Sequence, residues 1–151
     1  MQILIICTGN TCRSPMAEGI FKALIKETNL ELKVSSAGVS AFDGDKVSNN
    51  SVVALRKIGM DISMHKSRLV HDSLMNESDL ILTLGKSHKS ILLNKYPSSK
   101  EKVFLLNEYA FNEIVDIADP FGGSIKDYER ARDQIYKAVE EIVKRWVNSK
   151  K

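Results

Sequence analysis

With only two cysteines, three prolines and eight glycines in 151 residues, the chain is excluded from several protein classes before any motif is read. Cys7 and Cys12, five positions apart, cannot staple a small secreted domain, and in a reducing compartment such a pair is more often catalytic or redox-sensing. Proline and glycine are too scarce for a disordered or fibrous chain. No stretch approaches the ~18 consecutive apolar residues of a membrane span, so no membrane partner is expected. The opening ILII is shorter than the roughly 7–15 apolar residues of a signal-peptide core and no basic residue precedes it, which makes the cytoplasm the expected compartment. Charge of one sign is also lacking: 22 Lys and Arg face 19 Asp and Glu, a scattered net charge of +3 that does not predict a nucleic-acid partner. Repeats and Gly/Ser/Pro linkers are absent, so one domain over residues 1–151 is expected; a monomer is the default expectation.

What is present is alternation. Gln2–Ile6 is a short, almost wholly apolar run of the kind buried on both faces of a parallel sheet. Residues 14–27 read as a helix, with Ser14 suited to the N-cap, Pro15 to the first turn, and Ala17, Ile20, Phe21, Leu24 and Ile25 as an apolar stripe. A second strand is expected over 32–36, and a helix over 48–58 with Gly59 beyond its end. A third strand follows over 80–84, a helix over 86–95, a short strand over 103–106 and a final helix over about 124–147. This order predicts an α/β fold: a single doubly wound domain with a four-stranded parallel sheet flanked by helices. Its ligand site would lie beyond the strand C-termini at the switch point, next to the loop after Ile6.

That loop is Cys7-Thr8-Gly9-Asn10-Thr11-Cys12-Arg13-Ser14. A polar turn feeding a helix N-terminus collects backbone N–H groups around one point and binds an oxyanion. Gly9 and Asn10 tolerate the left-handed backbone such a turn needs. Arg13 adds a planar charged fork for two phosphoryl oxygens. Cys7 at the mouth of that positive site is favoured as the thiolate, a ready nucleophile, and Ser14 could donate a hydrogen bond to hold it. The Gly-Lys-Ser/Thr ending of a nucleotide-binding phosphate loop is missing.

Residues 7–18, CTGNTCRSPMAE, closely resemble the signature of the low-molecular-weight protein tyrosine phosphatases. The resemblance implies that family's fold, a cysteinyl-phosphate intermediate on Cys7, phosphoryl binding by Arg13, a loop stabilised by Asn10, and phosphorylated proteins as substrates. Thr8, Gly9, Thr11, Cys12 and Ser14 complete the expected phosphate-binding set. In the family the general acid is the Asp of an Asp-Pro pair, which selects Asp119 of Asp119-Pro120-Phe121-Gly122-Gly123 over its rival Asp116. By the same analogy Ser36 and His65 support Asn10, and catalysis needs no metal and no cofactor. His65, His71 and His88 show no metal-ligand spacing, and without the resemblance each reads as an ordinary surface or packed histidine.

Thr11 and DPFGGS depart from the tyrosine-specific pattern, which commonly has a branched aliphatic residue and Asp-Pro-Tyr there, and look like the bacterial protein arginine phosphatases, a branch of the same family. A tyrosine ring gains from apolar walls, whereas phosphoarginine presents a flat polar group suited to the hydroxyl of Thr11 and the carboxylate of Asp119. Phe121 is expected beside the substrate, and Gly122-Gly123 to remove bulk there. Cys12 either packs the loop or pairs reversibly with Cys7 under oxidants. The rival classes are weaker. An arsenate reductase of this fold would need further cysteines downstream, a thiol redox module would prefer Cys-x-x-Cys, and a phosphate-binding interaction protein would dispense with Cys7.

Overall fold

The computed structural model describes residues 1–150. Four parallel strands, β1 (Gln2–Cys7), β2 (Lys33–Gly38), β3 (Leu80–Thr83) and β4 (Val103–Leu105), lie in the order β2-β1-β3-β4. The chain leaves β1 in one direction to reach β2 and crosses to the other side for β3. The C-terminal end of β1 is therefore the switch point, where an open α/β sheet forms its ligand crevice.

The alternating side chains of β1 explain why the strand is apolar throughout. Ile3, Ile5 and Cys7 face α1 (Arg13–Lys26) and the long α6 (Ile125–Ser149), whose Ile135, Ala138, Val139 and Ile142 are fully buried there. Leu4 and Ile6 face the opposite layer, with Val70, Met75 and Leu92 from the segments around α3 (Asp72–Glu77) and α4 (Lys86–Lys95). Each such Leu or Ile contributes roughly 1.5–3 kcal/mol by burial, so a polar residue at any of these positions would cost heavily. The strand that delivers Cys7 is thus held on both faces.

Several expectations need adjusting. Ser14 does not cap α1: Cys12 occupies the N-cap position without a side-chain bond, and Ser14 lies inside the helix with its hydroxyl turned to Cys7. The second strand continues through Ala37 to Gly38, and the fourth ends at Leu105, where the chain turns into the short helix α5 (Leu106–Phe111). Helix α2 (Asn49–Arg56) is capped by Ser48, which accepts from the Ser51 amide, and Gly59 turns the chain away at φ +81°. The six-residue helices α3 and α5 escape periodicity because they span less than two turns. No helix among the described residues is long and apolar enough to cross a membrane.

Candidate active site

The loop from Cys7 to Arg13 turns its carbonyls outward, and each of five is held by a different donor. Cys7 O accepts from Val39 N, Thr8 O from Ser40 N, Thr11 O from Ser48 N, and Cys12 O from Ser51 Oγ. Asn10 O takes the fifth bond from His65 Nε2 at 3.0 Å. In a trans peptide the C=O and the following N–H point in opposite directions, and the chain has no cis bond. The amides of Thr8, Gly9, Thr11, Cys12 and Arg13 are therefore directed to the inner side, and among the described residues none donates to another protein group. Convergent unpaired amides at a helix N-terminus form an anion cradle.

Two backbone features permit this curve. Asn10 adopts φ +57°, a left-handed conformation that asparagine tolerates better than most residues. Its side chain then repays the strain: Nδ2 donates to Ser14 Oγ at 2.8 Å and Ser36 Oγ at 2.9 Å, and Oδ1 accepts from Arg68 N at 3.0 Å. Gly38 abuts the loop from β2, and a Cβ there would overlap Thr8 O and come within 3.0 Å of Asn10 N. Ser36 Oγ in turn donates a hydrogen bond to Oε1 of Glu18, at 2.6 Å, a residue the sequence did not single out.

Cys7 Sγ lies 2.8 Å from Ser14 Oγ. Because Ser14 accepts from Asn10, its hydroxyl proton is free to face the sulfur and stabilise a thiolate. Arg13 is 7% exposed: Nη1 donates to Ile117 O at 2.9 Å, and Nη2 stands 3.6 Å from Asp119 Oδ2. The other carboxylate oxygen, Oδ1, accepts from Phe121 N, so the carboxyl is oriented from both sides while remaining more than half exposed. Cys7, Thr8, Gly9, Thr11, Cys12, Arg13, Asp119 and Phe121 line one cavity of about 200 Å³.

Asp116 is drawn elsewhere, with Oδ1 accepting from the Lys86 amide at the start of α4. Cys12 is a buried free thiol whose sulfur lies 3.5 Å from Tyr128 Oη. The Gly122-Gly123 pair also answers to its local surroundings. Gly122 takes φ +77° in open space, and a Cβ on Gly123 would collide with the carboxylate of Asp127, which accepts from the Ser124 amide at the start of α6. Both glycines therefore serve the turn and the helix cap. Among the described residues no cluster of His, Cys, Asp and Glu is arranged to hold a metal.

Of the surface and packed alternatives open for His88, the structure gives the packed one: it is 2% exposed and its Nε2 lies 2.9 Å from Thr8 Oγ1. Burial, and then the Arg13 guanidinium, push its imidazole down to about 4, against partial relief from Asp116 and Asp119. An unfolded histidine takes up its proton near pH ~6.5, and the folded one refuses it until much lower. The stability due to neutral His88 is thus complete above about pH 6.5 and drains away as pH falls towards about 4, by on the order of 3 kcal/mol. Urea melts at pH 7 and pH 4.5 should show a smaller loss for His88→Gln than for the native chain; equal losses would remove His88 as the source.

A thiol and a guanidinium sharing a main-chain anion cradle at the switch point of a parallel sheet define a cysteine-dependent phosphatase. The profile of the low molecular weight phosphotyrosine protein phosphatases matches residues 2–151, and the chain belongs to that family, whose members act on phosphorylated proteins. It is 38% identical to the protein-arginine-phosphatase of Bacillus subtilis, with 95% of each chain covered. It is 35% identical to the low molecular weight protein-tyrosine-phosphatase PtpB of Staphylococcus epidermidis, covering 94% of this chain and 96% of that one. Among solved structures, a YwlE arginine phosphatase C7S mutant with a phosphorylated active site serine superimposes with a TM-score of 0.93 at 37% identity, covering 96% of this chain and 95% of that one.

Proposed function

We propose that the chain removes phosphoryl groups from arginine side chains of proteins, with Cys7, Arg13 and Asp119 as its catalytic groups. The observation that carries the reading is the cavity itself, where one space is bordered by the sulfur, the guanidinium, the exposed carboxyl and the hydroxyl-bearing rim residue Thr11. In the first step Cys7 Sγ attacks phosphorus in line, the S–P bond forms, the P–N bond breaks, and Asp119 gives its proton to the departing guanidine nitrogen. The cradle amides and Arg13 hold the equatorial oxygens. In the second step Asp119 takes a proton from water, the hydroxide displaces the thiolate, and Ser14 steadies the sulfur as it leaves. The phosphorylated serine in the similar YwlE variant supports a covalent route of this kind.

Substrate choice is argued from the rim. Thr11 and the protonated carboxyl of Asp119 offer two hydrogen-bonding groups to a flat polar group, and the ring of Phe121, 79% exposed, supplies one face for stacking. Phosphotyrosine is the second reading, favoured by the tyrosine-phosphatase relatives of similar identity. Turnover of phosphoarginine and phosphotyrosine peptides by the native chain and by Thr11→Ile decides between them. We expect the native chain to prefer phosphoarginine, and the substitution to move the ratio of kcat/KM values about tenfold or more towards phosphotyrosine, as one pocket group can. A tyrosine preference in both proteins would sink the arginine assignment.

A further inference from the structure

His88 sits in the first turn of α4, 80 residues beyond Thr8 in sequence, and the mechanism above gives it no part. Its Nε2 is within hydrogen-bond distance of Thr8 Oγ1, and its Nδ1 is buried with no partner. A neutral imidazole carries a single N–H. Were that proton on Nδ1, the fold would bury a donor with nothing to receive it; on Nε2 it is bonded to Thr8 and only a lone pair is left over. Interiors leave buried N–H groups unpaired less readily than acceptors, so the Nε2–H form is favoured.

The consequence falls on Thr8. A hydroxyl that accepts from His88 keeps its own proton to give, and Thr8 lines the same cavity as Cys7 and Arg13. We propose that His88 is a positioning residue which, by donating to Thr8 Oγ1, commits the Thr8 hydroxyl proton to the cavity as a side-chain donor to a phosphoryl oxygen. The cradle then binds its anion through main-chain amides, the Arg13 guanidinium and one oriented hydroxyl. A neutral imidazole does this without adding a second full positive charge beside Arg13. The inference rests on the reading of this cavity as the phosphoryl site.

Two measurements on the whole chain test it. The first is the ¹⁵N spectrum of His88 in the native protein at pH 7, where an Nε2–H imidazole is expected and an Nδ1–H imidazole would overturn the proposal. The second is calorimetric binding of inorganic phosphate, which does not depend on turnover. Thr8→Val and His88→Leu should each weaken it about tenfold, the effect of one hydrogen bond to a charged group. Thr8→Ser, and His88→Gln with its amide near the Nε2 position, should stay within about twofold of native. The double variant Thr8→Val/His88→Leu should be no weaker than Thr8→Val alone, because the two act through one bond. Native-like phosphate binding by Thr8→Val, whose side chain is exposed and no threat to folding, refutes the idea even if His88→Leu fails to fold. So do additive losses in the double variant. If the native chain itself binds no phosphate, the fault lies with the reading of the cavity, on which the inference stands and with which it would fall.

Discussion

Cys7→Ser should lower steady-state turnover by at least ~10⁴-fold and leave the affinity for inorganic phosphate within a few-fold of native. The two halves of this result have separate causes. A neutral serine hydroxyl is a far weaker nucleophile than a thiolate, and any phosphoserine that formed would have to expel an alkoxide in the second step. The cradle is built from the amides after position 7 and from Arg13, and the oxygen of serine changes none of them. Kinetics on an aryl phosphate together with phosphate titration calorimetry provide the check. Residual turnover above about one per cent would mean that the reaction has another nucleophile. A collapse of phosphate binding would mean that the sulfur shapes the cradle.

The second large effect is expected at Asp119. Asp119→Ala should reduce kcat for phosphoarginine peptides by about 10²–10⁴-fold, the range of a positioned acid and base. The loss should depend on the leaving group. With p-nitrophenyl phosphate, which needs little help to depart, the first burst of nitrophenolate should survive while steady-state release slows, because water activation is still lost. With an unactivated leaving group the burst itself should disappear. Equal slowing of the burst for both substrates would argue that Asp119 acts through Arg13, its neighbour at 3.6 Å, rather than by moving protons.

The strand, the loop and the first helix were legible because their signal is local: an apolar run, a polar octad and an amphipathic stripe lie next to one another in residues 2–26. The four-strand parallel sheet followed from the same alternation. What escaped depends on contacts made far along the chain. His88 reaches Thr8 across 80 residues, Tyr128 reaches Cys12 across 116, and the Ile117 carbonyl reaches Arg13 across 104, and no periodicity carries such pairings. Ser14 was misread for a related reason. Ser-Pro at a helix start suits a cap, but here the serine hydroxyl is claimed by Asn10 and Cys7, and the N-cap lies two residues earlier, at Cys12. The two glycines after Phe121 also satisfy a backbone angle and a crowded cap, neither of which the sequence shows.

In the proposed cradle phosphorus is gripped by main-chain amides, Arg13 and the Thr8 hydroxyl, so side-chain drift at positions 11 and 121 of the crevice mouth leaves that grip in place. A descendant of this chain could exchange the residue at position 11 or 121 and acquire a different leaving group without first losing the ability to cleave the old one. Substrate identity and reaction chemistry are thereby inherited separately, and a gradual path between nitrogen-linked and oxygen-linked phosphoryl groups need not pass through an inert ancestor.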